Sequence, residues 1–180
     1  DRPFLVMPYV DGFDGLTIGE KLQQYPPSER HARCCAIGRE IAKALQHIHI
    51  NGKLHRDIKP SNILFDRQEK SILIDFGTIK ECDQDALTQT QSGILIGTPH
   101  YAAPEQIQGT ITDERSDQFS LGATLYFFFV NRKPFNSLDR TKAIVAPSFY
   151  DPSIPANIEA CIMRLLAIDP MNRFINLEQV

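Results

Sequence analysis

Paired cysteine motifs are missing from this sequence. Cys34, Cys35, Cys82 and Cys161 include no Cys-x-x-Cys, and two of them are adjacent. That pattern argues against a zinc site and a disulfide framework, and it fits a reducing, cytoplasmic setting. A long hydrophobic run is missing too. The most apolar stretch, Phe119 to Val130, is interrupted by Ser120, Gly122 and Thr124, too short to span a bilayer. It reads as a buried helix, so no membrane segment is predicted. Asp1-Arg2-Pro3 precedes only a short apolar run, which is not a secretory leader. Basic blocks are also missing: the net charge is −3 and the pI about 5.9, which argues against nucleic acid as a partner. Neither repeats nor low-complexity segments occur. What remains is 180 residues, 42% hydrophobic and 23% charged, ordinary for a soluble globular chain. A chain of this length buries roughly 70% of its unfolded surface, enough for one sizeable core.

The pattern of elements is α+β and mainly helical. Phe4 to Val10 reads as a strand stopped at Pro8, because proline cannot donate to a ladder. Asp11-Gly12-Phe13-Asp14-Gly15 then turns the chain into a short helix, Leu16 to Gln24. Ser28 is the predicted N-cap of the next helix, with Ile37, Ile41, Leu45 and Ile48 on one face and Asn51-Gly52 at its end. His47 and His49 on this helix have no carboxylate or cysteine at ligand spacing and read as structural. Further on, Ser137 to Val145 suits a short helix, with Pro147, Pro152 and Pro155 punctuating a loop after it. Ala156 to Ile168 suits an amphipathic helix with Ile158, Ile162, Leu165 and Leu166 inward, and the chain ends inside a further helix.

The chemistry concentrates between residues 55 and 77. Ile63-Leu64-Phe65 and Ser71-Ile72-Leu73-Ile74 form a hairpin around the polar tip Asp66 to Lys70. Pairing these strands returns Asp75 to the neighbourhood of Asn62, which follows Asp57 by five residues. A carboxylate and an amide oxygen are hard ligands that suit Mg²⁺ carrying phosphate oxygens.

His55-Arg56-Asp57-Ile58 to Asn62, then Asp75-Phe76-Gly77, then Ala103-Pro104-Glu105, resembles the signature set of protein kinases. Three matches in this order, over nearly the whole chain, are specific where one alone would not be. The resemblance implies a protein-kinase-like fold, here the C-terminal lobe with short β-hairpins at the cleft. It also implies transfer of the ATP γ-phosphate to protein hydroxyls with Mg²⁺, or Mn²⁺ in its place, as cofactor. Asp57 would orient the acceptor and take its proton, Lys59 would clamp the γ-phosphate, and Thr98 would bridge the two. Asn62 and Asp75 would hold metal. Met7 would sit behind the nucleotide, the Pro8 carbonyl and Val10 amide at the adenine edge, and Leu64 beneath the ring. Asp14 is either a ribose contact or a turn residue. His55, Arg56, Phe76, Glu105, Asp117 and Arg173 are implied supports. In particular, Asp117 would accept amides of the His-Arg-Asp turn, and Glu105 would pair with Arg173.

Lys59 and Thr98 resemble serine/threonine rather than tyrosine kinases, and Tyr101 to Gln106 has a bacterial flavour. Thr78 suggests threonine over serine as acceptor, and Ser61 suggests no strong arginine preference beside it. Residues 78 to 96 are polar and without period, a loop in which a phosphate on Thr88, Thr90 or Ser92 would pair with Arg56 and Lys80. The departure from the family is the absence of a Gly-x-Gly-x-x-Gly loop and of the strand lysine. The sequence is therefore expected to be a partial kinase domain: residues 1–13 the last small-lobe strand and hinge, residues 14–180 the large lobe, and the small lobe a missing partner of the same chain. Such a piece is expected to be inactive alone. The other class consistent with these residues is a non-catalytic, kinase-like binding or scaffold module.

Overall fold

The computed structural model describes residues 8–75, 80–81, 100–135, 139–140 and 142–180. Met7, Phe76, Thr88, Thr90, Ser92 and Thr98, all singled out above, lie outside the described residues.

The core is built around α4, Glu114–Val130, in which every residue from Ser116 onward is buried. A helix apolar on all sides is stable only when neighbours cover every face. α2, Pro27–Ile50, and α6, Ala156–Leu165, pack against it, as does α1, Gly15–Leu22. Phe119 and Phe128 are fully buried, each contributing about 1.5–3 kcal/mol by removal from water. The α4–α6 crossing needs a missing side chain: a Cβ at Gly122 would lie 2.6 Å from the Leu165 Cβ. Asp113 caps α4 by accepting from the Arg115 amide, and Asn131 in the left-handed region ends it.

The sheet is small. β3, Ile63–Asp66, pairs antiparallel with β4, Ser71–Leu73, in the register Ile63↔Leu73, and on its other side with β1, Gly12–Asp14. Two-residue strands β2, Lys53–Leu54, and β5, Lys80–Glu81, form a second ladder. α3, Pro104–Gln108, and α5, Pro147–Tyr150, complete the mainly helical α+β architecture. Alternation in β3 sends Ile63 and Phe65 into the core and leaves Leu64 half-buried on the opposite face.

Several local expectations are corrected. Residues 8–10 are not a strand. The stretch expected to turn, Asp11 to Gly15, carries β1, because Gly12 lets its backbone approach Phe65 so closely that a Cβ would overlap the Phe65 carbonyl. Asp14 ends β1 and caps α1, accepting from the Thr17 amide at 2.8 Å. Ser28 is not the N-cap of α2; Pro26 holds that position without a side-chain bond, and Pro27 supplies the preset φ of the first turn. None of the described residues between 139 and 146 is helical, and Pro147 opens α5 instead of breaking a loop. α6 stops at Leu165, three residues early, and the chain ends on a single 3₁₀ turn, Leu177–Gln179. Proline at a first helical turn costs nothing there, since its missing N–H would have no partner anyway.

Candidate active site

The loop between β2 and β3 is held from below by one buried carboxylate. Asp117, on the first turn of α4 and 1% exposed, accepts the His55 amide on Oδ2 at 2.9 Å and the Arg56 amide on Oδ1 at 2.8 Å. His49 Nε2 donates to the same Oδ2 at 2.8 Å. A carboxylate removed from water demands this many donors, and two of them are the backbone of the site. His49 had read as merely structural. Its partner stands 68 residues away, so no local spacing announces it.

His55 is fully buried and joins the loop to the end of β4. Its Nε2 donates to the Ile74 carbonyl at 3.2 Å, and its Nδ1 accepts a long bond from the Asp57 amide at 3.4 Å. Acceptance at Nδ1 calls for the neutral ring, in keeping with burial, which lowers its pKa despite the opposing pull of Asp117, the Ile74 carbonyl, Asp57 and Asp75. The Ile74 amide in turn donates to the Asn62 carbonyl at 2.9 Å. Ile74 is thus gripped from both sides, which fixes where Asp75 emerges, exposed and at φ 67°.

Two polar side chains meet at the Asp57 carboxylate. Lys59 Nζ donates to Oδ2 at 2.7 Å, and Asn62 Nδ2 donates to Oδ2 at 2.9 Å and to the Asp57 carbonyl at 2.8 Å. Oδ1 takes no hydrogen bond among the described residues, so one acceptor of a half-buried carboxylate remains for an incoming O–H. The Asn62 amide nitrogen is spent on Asp57, and its oxygen takes no hydrogen bond among the described residues. Among the described residues no three His, Cys, Asp or Glu side chains form a closed metal cage. An amide oxygen and a carboxylate are the kind of hard ligand Mg²⁺ takes while keeping waters and phosphate oxygens around it; Asn62 is buried and Asp75 exposed.

Pro8 and Val10 line an open depression of about 540 Å³ together with Ile72, the cross-strand partner of Leu64; its lining includes neither Leu64 nor any of Asp57, Lys59, Asn62 and Asp75. A more enclosed groove of about 200 Å³ runs past Ile18, Tyr25, Ile37 and Phe65, and its lining includes none of Asp57, Lys59, Asn62 or Asp75. Behind the site, Arg173 makes a two-pronged pair with Glu105, Nη1 to Oε1 at 2.6 Å and Nη2 to Oε2 at 3.0 Å. The Arg173 guanidinium also donates to the Ala167, Ile168 and Arg115 carbonyls, and the Ser116 hydroxyl donates to Glu105 Oε1.

The family model for the protein kinase domain matches residues 1–178. This chain belongs to the protein kinase family. Within it, the chain is of the bacterial, eukaryotic-like serine/threonine type. It is 34% identical over 190 residues to a probable serine/threonine-protein kinase of Streptomyces coelicolor, covering 99% of this chain and 27% of that protein. To a probable serine/threonine-protein kinase of Clostridium perfringens it is 32% identical over 188 residues, covering 100% of this chain and again 27% of the relative. The chain therefore spans about a quarter of the length of these relatives. Among solved structures, the Mycobacterium tuberculosis PknI kinase domain superposes with a TM-score of 0.69 at 26% identity, covering 95% of this chain and 60% of that domain. The fold is thus protein-kinase-like, with the topology of the C-terminal lobe. Among the described residues no helix is long and apolar enough to cross a membrane.

Proposed function

We propose that this chain is the hinge and large lobe of a serine/threonine protein kinase that moves the γ-phosphate of ATP to hydroxyls of protein substrates once a small lobe completes the cleft. The observation that carries the reading is the Asp57 carboxylate, with Oδ2 occupied by Lys59 and Asn62 and Oδ1 open among the described residues. A binding-only module has no use for a carboxylate so arranged. Asp57 Oδ1 accepts the proton of the substrate hydroxyl as its oxygen bonds to the γ-phosphorus and the bridging P–O bond to ADP breaks. Lys59, held 2.7 Å from Asp57, places a cation where charge spreads over the transferred group. Asn62 and Asp75 are the residues that would hold Mg²⁺, which when bound neutralises phosphate charge. Leu64 and Ile72 offer apolar surface on the non-core face of the sheet for the adenine ring, with the Pro8 carbonyl and Val10 amide at its edge. Asp14 is committed to capping α1, so its contact with the ribose is the weaker part of the assignment.

Regulation by phosphate on Thr88, Thr90 or Ser92 is part of the same reading. It is supported by Arg56, next to Asp57 in the chain, whose Nε is buried without a hydrogen-bond partner among the described residues. A bound phosphate gives such a cation its acceptor.

The test joins this chain to a small lobe and follows transfer from labelled ATP to protein, with Asp57→Asn as the control. Loss of the general base is expected to lower transfer by about 100-fold or more. Equal transfer by both proteins refutes the role given to Asp57.

A further inference from the structure

Arg56 holds φ at 68°, a left-handed conformation disfavoured for any residue with a Cβ. Such backbone persists only where its surroundings over-determine it. The peptide groups leading into Asp57 are pinned one at a time. Asp117 takes the amides of the first two, at His55 and Arg56. The third, between Arg56 and Asp57, has among the described residues only the long 3.4 Å contact to His55 on its N–H side. Its short bond is on the carbonyl side, where Gln106 Nε2 donates to the Arg56 oxygen at 2.9 Å.

Gln106 lies in α3, and its other end is occupied as well. Oε1 accepts from the Ala103 amide at 2.9 Å, one half of a capping box, since Ala103 has no side-chain acceptor to return the bond. One planar carboxamide therefore spans from the backbone that opens α3 to the peptide that aims Asp57. Only a group with a donor and an acceptor at this reach does both. Glutamate would turn a carboxylate oxygen on the Arg56 carbonyl, and an apolar side chain would do neither.

We infer that Gln106 is a positioning residue for the Asp57 site, coupling the start of α3 to the orientation of the Arg56–Asp57 peptide. Its catalytic consequence rests on the kinase reading; its geometric consequence does not. Releasing the Arg56 carbonyl lets that residue relax toward right-handed φ, which carries Asp57 away from Lys59 and Asn62. A displacement on the order of 1 Å at a reacting group is enough to cost about 100-fold in rate.

The experiment uses the full-length protein with Gln106→Glu, which keeps the acceptor for Ala103 and removes the donor, and Gln106→Met, which removes both at similar length. Expected for both is a fall in kcat of about tenfold or more with KM for ATP within about twofold, the signature of lost positioning rather than lost binding. The thermal midpoint of Gln106→Glu should stay near the parent's. Its Asp57 amide resonance should shift while that of Ala103 stays in place. Parental kcat, or a fall matched by loss of folded protein with an unmoved Asp57 amide, overturns the inference. Should the parent protein transfer no phosphate, the kinase reading fails by itself and the Asp57 amide decides: a shift in Gln106→Glu supports the coupling, and an unmoved resonance overturns it.

Discussion

Replacing Asp117 strikes the deepest support of the site, and the structure sets the size of the effect. Its carboxylate, 1% exposed, accepts from His49 Nε2 and from the His55 and Arg56 amides at 2.8–2.9 Å. Asp117→Ala orphans two buried backbone donors at once. At about 1.5–3 kcal/mol per bond to a charged acceptor, the loss is about 3–6 kcal/mol. A domain holds only about 5–15 kcal/mol in total, so this variant sits near unfolding. Asp117→Asn is the informative change. Its amide oxygen, placed where Oδ2 stands, retains His49 and His55, while its nitrogen faces the Arg56 N–H donor to donor. One bond is lost, about 2–3 kcal/mol, and the left-handed Arg56 is released. Urea unfolding followed by circular dichroism measures it: with a slope of about 2 kcal/mol/M, the midpoint falls by about 1 M. A midpoint within about 0.2 M of the parent's, or an alanine variant no worse than the asparagine, refutes the account of Asp117 as the loop's anchor.

Other perturbations follow from the same packing. Glu105→Gln and Arg173→Met should each cost about 3–5 kcal/mol, because each leaves a buried charge unpaired, while the double variant recovers part of the loss in a denaturant cycle. Burial pushes the Glu105 carboxyl up, but the Arg173 guanidinium and the Ser116 hydroxyl outweigh it, so the net pKa lies below the usual carboxylate value. The stability from this depressed pKa is present above the unfolded-state pKa and is lost as pH falls through the folded one. The parent should therefore lose stability below about pH 4.5 more steeply than Glu105→Gln, and equal acid slopes would contradict the pairing. His55, its pKa lowered by burial, should show a neutral imidazole by NMR at pH 7 and titrate below the range of a free imidazole; a charged ring at pH 7 would contradict its bond from the Asp57 amide. Gly122→Ala drives a methyl to within 2.6 Å of the Leu165 Cβ and should cost about 1–3 kcal/mol in thermal or urea unfolding; an unchanged protein would mean that α4 and α6 part without cost.

Legibility followed the range of the interaction. The β3–β4 hairpin was readable because β-branched and aromatic runs around a polar tip specify pairing locally. The faces of α2 and α6 were readable from the recurrence of Ile37, Ile41 and Leu45 and of Ile162 and Leu165. Helix starts were read less well: at Pro27 and Pro147 the proline was taken as punctuation or passed over for Ser28. β1 was missed because a stretch with Asp11, Gly12 and Gly15 looks like a turn, and only its partner β3 makes Gly12 a site of close approach. Gln106 carried no signal at all. A half-buried glutamine two positions into a five-residue helix is unremarkable until Arg56, 50 residues earlier, is brought against it.

The residues with chemistry, their order and the family they belong to were set by the one-dimensional spacing of Asp57, Asn62, Asp75 and Glu105, since short motifs encode loop conformation directly. What folding alone decided is which atoms are spent and which are left. Among the described residues Asp57 Oδ2 is occupied and Oδ1 open, burial lowers the His55 pKa, and the three peptides before Asp57 are held by Asp117 and Gln106. The contacts of Asp117 and Gln106 join residues 50 to 62 positions apart, where burial makes each unpaired polar atom costly and so dictates the pairing.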